Sequence, residues 1–209
     1  MFKRGFPSVV AVVFAVFVLW PGQSSAAGGD LSAGAQKLIQ SMADEAIDSL
    51  IDKNISAEQR EKEFRRLFRT NFDVDAIGKW VLGRYWRTAT ETERREYLAQ
   101  FEEFVVKTYA KRFRDYSGEV FSITNTSMVD DSALVHSELT GHGEGQIVRV
   151  DWRVASADST YKIIDVIVEG VSMSQTQRSE FSSVIRRNGG KVTGLIDALR
   201  KKNAILNGR

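Results

Sequence analysis

Histidine and cysteine carry much of the nucleophilic and metal chemistry of proteins, and this chain has almost none of either. It holds two histidines, His136 and His142, and no cysteine. A zinc site needs three or four ligands. Metal binding would therefore fall to carboxylates, and most of these are spread over polar helix faces. His142 sits in the run Gly141-His142-Gly143-Glu144-Gly145, which reads as a hairpin loop. Those glycines do not open a helix after a strand, so they make no phosphate cradle. The sequence has no Gly-x-Ser-x-Gly elbow, Walker loop or dinucleotide fingerprint. His136 is out of phase with Val135 and Leu139 on a predicted strand, which makes it a surface residue. Paired with Asp165 it would be an acid–base candidate. The residues predict no catalytic site, no metal and no cofactor: a protein that is not an enzyme.

What the chain has instead is apolar volume, arranged in two periods. From Leu31 to about Arg114 the apolar residues recur at helical spacing. A first helix carries Ala35, Leu38, Ile39, Met42, Ala46 and Leu50 on one face. Ser56 starts a second, with Gln59 as its capping-box partner and Phe64, Leu67 and Phe68 as its stripe. A third begins at Asp73 and presents Val74, Ile77, Val81 and Tyr85, beside Trp80, Leu82 and Trp86. Thr90 and Glu93 form a capping box before the longest predicted helix, Glu91 to Arg114, striped by Tyr97, Leu98, Phe101, Phe104, Val105, Tyr109 and Phe113.

The period then changes to two. Residues 119–127, 133–140, 146–154 and 160–169 read as strands joined by turns. Short links make antiparallel neighbours, so a four-stranded meander is expected. Val148, Val150, Trp152 and Val154 alternate with Arg149, Asp151 and Arg153, which gives one buried and one wet face. The fourth strand is apolar on both faces, as a central or doubly covered strand would be. Helices over 175–187 and 192–202 follow, split by Asn188-Gly189-Gly190, a C-terminal stop. The predicted class is α+β: a four-stranded antiparallel meander packed against a layer of helices, in one domain.

The N-terminus sets the compartment. Lys3 and Arg4 precede an unbroken apolar run of 12 residues, Val9 to Trp20, and then Pro21, Gly22 and the small residues Ser24 to Ala27. That is the layout of a cleavable export signal over residues 1–26, cut near Ala26 or Ala27. A run of 12 is short of the ~20 residues that span a bilayer. With no cysteine to acylate, the remaining domain, 27–209, is expected to be free of an anchor. Without Lys3 and Arg4 it carries 27 basic and 27 acidic side chains, so it lacks the electrostatic footprint of a nucleic-acid binder.

Glu169-Gly170-Val171-Ser172-Met173, following Ile164-Asp165-Val166, resembles a signature of the MlaC family, also called toluene-tolerance or Tgt-type proteins. Phe72-Asp73-Val74-Asp75, Val81-Leu82-Gly83-Arg84-Tyr85-Trp86, Thr88-Ala89-Thr90 with Arg94-Arg95-Glu96-Tyr97, and Arg149-Val150-Asp151-Trp152-Arg153 are similar to further family segments. So are Gln177, Phe181, Ile185, Gly189, Gly190 and Leu195. The resemblance runs in order from about Leu38 to Lys202, and a hopanoid-associated branch shares it. It implies a periplasmic carrier that binds phospholipid acyl chains in a cleft between sheet and helices. Its implied partners are an outer-membrane lipoprotein complex and an inner-membrane ABC transporter with its substrate-binding ring. The alternatives are an NTF2-like enzyme or binding module and a carrier of hopanoid-type lipids. The apolar residues expected at the cleft are Val81, Tyr85, Phe104, Val105, Tyr109, Ile123, Val135, Val150, Trp152, Val166 and Val168, with Gly170, Val171, Ser172 and Met173 at its mouth. Arg84 and Arg153 are the arginines that could touch a phosphate.

Overall fold

The computed structural model describes residues 26–207 apart from 117, 142–146 and 158–159. The export signal up to residue 25 and His142 lie outside the described residues. The helices are α1 (Ala26–Leu50), α2 (Ala57–Asn71), α3 (Val74–Leu82), α4 (Tyr85–Thr88), α5 (Glu91–Tyr109), α6 (Met173–Arg187) and α7 (Val192–Asn207). The strands are β1 (Val120–Val129), β2 (Ser132–Thr140), β3 (Ile147–Ala157), β4 (Thr160–Val168) and β5 (Val171–Ser172). They pair antiparallel in the order β1-β2-β3-β4-β5. The class is the α+β meander expected, with one strand more: β5 is two residues long and folds back on β4. Glu169 (φ 49) and Gly170 (φ 77) make that reversal, and two successive positive φ values mark a tight hairpin turn.

Helix starts follow local chemistry. Thr90 and Glu93 form both bonds of a capping box at α5, and Ser56 accepts from the Gln59 N–H at α2. Asp73 caps α3 through the Ala76 N–H. The predicted third helix stops at Leu82, because Gly83 turns to φ 58 and α4 is a separate turn. The predicted helix to Arg114 ends at Tyr109 and tightens into a 3₁₀ segment, Ala110–Asp115. At 25 residues α1, not α5, is the longest helix among the described residues.

The apolar stripes sort into two clusters. Val81, Leu82 and Tyr85 of α3–α4 pack with Tyr97 and Phe101 of α5, Phe181 and Ile185 of α6, and Leu195 and Leu199 of α7. In the second cluster α1 lies across the sheet, with Ala35, Ile39 and Met42 against Ala133, Val135, Val154 and Ile163. Phe72 packs against both, and the Asp73 N–H donates to Ile163 O at 3.0 Å. β4 is contacted by α1, α3 and α6, more helices than touch any other strand among the described residues, in keeping with its apolar run.

Between α2 and α5 runs a charged seam. Arg65 bonds Glu102 at 2.8 Å and Glu103 at 2.5 Å, and the nearly buried Lys107 bonds Glu103 at 2.7 Å and the Asn207 side chain of α7. Burial opposes ionisation of Glu103, yet the bonds from Lys107 and Arg65 outweigh it and hold the carboxyl below its ordinary 4.5. A depressed folded-state value stabilises the fold above pH 4.5, and that stabilisation is lost as pH falls through the depressed value. In urea unfolding, wild type is therefore more stable than Glu103→Gln at pH 7. The difference narrows as pH falls below 4.5; a constant difference would remove Glu103 from the acid response.

Candidate functional site: an apolar cleft between two helices and the sheet

α1 packs on the sheet through Ala35, Ile39 and Met42. From Met42 onward its residues line a cleft of about 490 Å³. Its walls are Met42, Ala43, Ala46, Ile47 and Leu50 of α1, Ile51 just after it, Phe64, Leu67 and Phe68 of α2 with Phe72 beyond, and Phe113 of the 3₁₀ segment. The sheet supplies Phe121, Leu139, Val148 and Trp152. Phe64, Phe113, Phe121, Leu139 and Trp152 are only half-buried. Large apolar side chains left in that condition around a concavity are the mark of a binding site for apolar ligands.

The walls are held by satisfied polar groups behind them. Trp152 Nε1 donates to Ser137 Oγ at 3.0 Å, and Ser137 Oγ donates to Val150 O at 2.7 Å. The indole's polar edge is thus engaged within the sheet, and its carbon face is free for the cleft. Phe64 lies 5.9 Å from Phe113 and 6.2 Å from Phe68, and Phe68 lies 4.9 Å from Phe72, a chain of ring contacts along one wall. The α1–α2 corner is fixed by Arg60, which is 3% exposed. Its guanidinium donates to Leu50 O at 2.8 Å and Asp52 O at 2.7 Å, meeting carbonyls that a helix end leaves unpaired. Polar groups gather along one stretch of the lining: Arg112, Asp115, Tyr116 and Glu119.

Of the residues expected at a cleft, Trp152 lines this one. Ile123, Val135 and Val166 belong to the close-packed cluster under α1. Val150 and Val168 are cross-strand partners on the same sheet face. Tyr109 carries the Arg112 guanidinium 5.6 Å over its ring, beside the 3₁₀ wall. Val81 and Tyr85 are buried in the helical cluster, and Phe104 and Val105 pack against it. Their stripes face α6 and α7, because periodicity shows that a face is buried and not what buries it. Val171 is exposed, Gly170 turns the β4–β5 hairpin, Ser172 caps α6 through the Gln175 N–H, and Met173 begins that helix. The α1 and α2 residues of the wall were visible as stripes in the sequence, with nothing to set them apart from core.

Asp165 does not meet His136. Its carboxylate accepts from Ser172 Oγ at 2.6 Å, the Ser174 N–H at 3.1 Å and the Val166 N–H at 2.9 Å, so it ties β4 to the start of α6. Arg84 stacks 4.9 Å over Tyr85, and Arg153 donates to Ser132 Oγ at 3.4 Å. Neither lines the cleft; the arginine that does is Arg112.

The MlaC protein family profile matches residues 40–201. The chain belongs to the MlaC family. It is 24% identical over 128 residues to toluene tolerance protein ttg2D of Pseudomonas putida, a match covering 60% of this chain and 59% of that protein's length. It is 20% identical over 160 residues to the intermembrane phospholipid transport system binding protein MlaC of Haemophilus influenzae, covering 73% and 75%. The fold matches a phospholipid-binding protein from Ralstonia solanacearum, solved in complex with a phospholipid, with a TM-score of 0.75 and 21% identity over 83% of this chain and 98% of that one. No described helix is long and apolar enough to cross a membrane.

Arg60→Ala removes both bonds at the α1–α2 corner, one buried and one part-buried, and is expected to cost about 3 kcal/mol, at about 1.5 kcal/mol for each charge-assisted bond. Hydrogen exchange should quicken first at the end of α1. Exchange that quickens uniformly across the fold would contradict a corner-specific role.

Proposed function

We propose that this protein is a periplasmic phospholipid carrier that takes acyl chains into the cleft between α1, α2 and the sheet. The observation that carries this reading is the cleft itself, with its half-buried aromatic wall. Membership of the MlaC family supports it, as does the likeness to a fold solved with phospholipid bound. Each methylene kept from water is worth about 0.8 kcal/mol, so two long chains cost well over ~15 kcal/mol exposed. A carrier must therefore hide tails, while the head can stay in water. An apolar cavity of about 150 Å³ takes one benzene; on that scale this cleft takes roughly twenty carbons, one acyl chain or the inner parts of two. Arg112 is the cation placed to meet a phosphate at the polar stretch of the lining.

Residues 1–26 act as the export signal, and residues 27–209 form the lipid-binding domain. Lipid passes between an outer-membrane lipoprotein complex and an inner-membrane ABC transporter with its substrate-binding ring. A bound tail leaves by sliding into a docked partner, because release into water carries the full cost of exposure. The protein works as a carrier and not as a catalyst in this role, and it needs no cofactor.

Protein purified from the periplasm and extracted with organic solvent should yield about one phospholipid per chain by mass spectrometry. Ala46→Trp fills the cleft from its α1 wall. Displacing two methylenes costs about 1.6 kcal/mol, so in competition with wild-type protein for limiting phospholipid the variant's share should fall roughly tenfold with thermal stability kept. A folded Ala46→Trp taking the wild-type share of lipid, or a wild-type protein with no extractable lipid, would overturn the reading. Arg112→Glu should weaken phospholipid retention and leave binding of an uncharged apolar dye unchanged; equal loss of both would remove Arg112 from headgroup contact.

A further inference from the structure

The face of the sheet turned away from the cleft carries a constellation that the carrier role does not use. Three adjacent strands each contribute one side chain to it. Ser127 Oγ of β1 lies 3.0 Å from His136 Nε2 of β2. His136 Nδ1 lies 2.9 Å from Asp151 Oδ1 of β3. His136 and Asp151 are direct cross-strand partners, and His136 is opposite Asn125, two residues before Ser127. A hydroxyl on one imidazole nitrogen and a carboxylate on the other is the arrangement that activates a serine nucleophile. The carboxylate fixes the tautomer in which Nδ1 carries the proton and Nε2 can accept one.

Two further features surround it. The β1–β2 register shifts between Ile123 and Asn125, and bulges of this kind re-aim neighbouring side chains beside active sites. A polar cavity of about 570 Å³ opens on this face, lined by His136 and Asp151 together with Asn125, Glu138 and Arg149; Ser127 is not part of that lining and reaches it through its contact with His136 Nε2. His136 and Asp151 are partly shielded, with 30% and 27% of their side chains exposed. The sheet separates this cavity from the apolar cleft, since His136 and Asp151 alternate with Val135 and Trp152. A tail held in the cleft is therefore not its substrate.

We propose that Ser127, His136 and Asp151 form a hydrolytic site for small, polar carboxylic esters taken from solvent. His136 Nε2 accepts the Ser127 hydroxyl proton as Oγ bonds to the ester carbonyl carbon. The same proton then goes to the leaving alkoxide as the C–O bond breaks, and the alcohol departs from an acyl-Ser127. Water attacks the acyl group, giving a proton to His136, which returns it to Ser127 as the carboxylate leaves with the second proton released to solvent. Asn125, opposite His136 on β1 and in the cavity lining, is the side-chain amide available to the developing oxyanion. Asp151 is a positioning residue and touches no substrate.

The test uses the exported protein and a fluorophosphonate probe, with the adduct located by peptide mass spectrometry. Covalent modification at Ser127 is expected, accompanied by hydrolysis of p-nitrophenyl acetate. His136→Ala should slow both by about 10²-fold, the contribution of a positioned general base, and Ser127→Ala should abolish the adduct. Asp151→Asn should slow modification of Ser127 with thermal unfolding unchanged, which a merely structural carboxylate would not do. Ser127→Ala should keep the wild-type lipid content, so failure here leaves the carrier reading standing. A folded wild-type protein with no adduct at Ser127, or one modified at the same rate in His136→Ala, would overturn the proposal.

Discussion

The structure depends on how one long helix meets a twisted sheet. Adjacent strands rotate by roughly 20–25° relative to one another, and a helix of 25 residues is about 37 Å long at 1.5 Å per residue. A straight rod of that length cannot follow such a surface along its whole course. α1 is seated where small residues allow close approach, with Ala35 and Ala133 both fully buried. From Met42 onward its residues form a wall of the cleft. Where contact is close the sheet–helix interface is solid core; where it opens, the same alternating strand residues become a wall.

An apolar opening survives only if the groups around it have no polar business left in it. The Trp152 indole is turned to Ser137, Arg60 meets the carbonyls of Leu50 and Asp52, and the α2–α5 seam is joined by Arg65 and Glu102. Each keeps a donor or acceptor occupied behind the wall. The helical cluster of α3, α5, α6 and α7 is built differently, with rings at 83–86° between Tyr97 or Phe101 and Phe181 and Tyr97 hydroxyl donating to Gly78 O at 3.0 Å. It is closed packing that abuts the sheet at β4 and leaves the space between α1, α2 and the sheet to open.

Much of this was legible in the residues. The caps at Ser56, Asp73 and Thr90 marked helix starts, the alternation Val148 to Val154 marked a two-faced strand, and the Glu169–Met173 segment marked the family. That segment turns out to be structural: Glu169 accepts from the Arg149 N–H at 2.6 Å, Gly170 turns the hairpin and Ser172 caps α6. The cleft was not legible, because Phe64 and Phe68 show the same stripe whether they bury against protein or face an opening. Nor was the partner of His136. Asp151 sits 15 residues away and Asp165 29, and only strand register decides between them.

The most direct measurement of where a tail resides is photo-crosslinking with a phospholipid carrying a diazirine on its acyl chain, read by peptide mass spectrometry. The account predicts adducts in residues 42–51, 64–72 and 113–121, and on the β3 peptide that carries Trp152. Adducts concentrated in the α3–α5–α6–α7 cluster, around Val81, Tyr85 and Phe181, would contradict it.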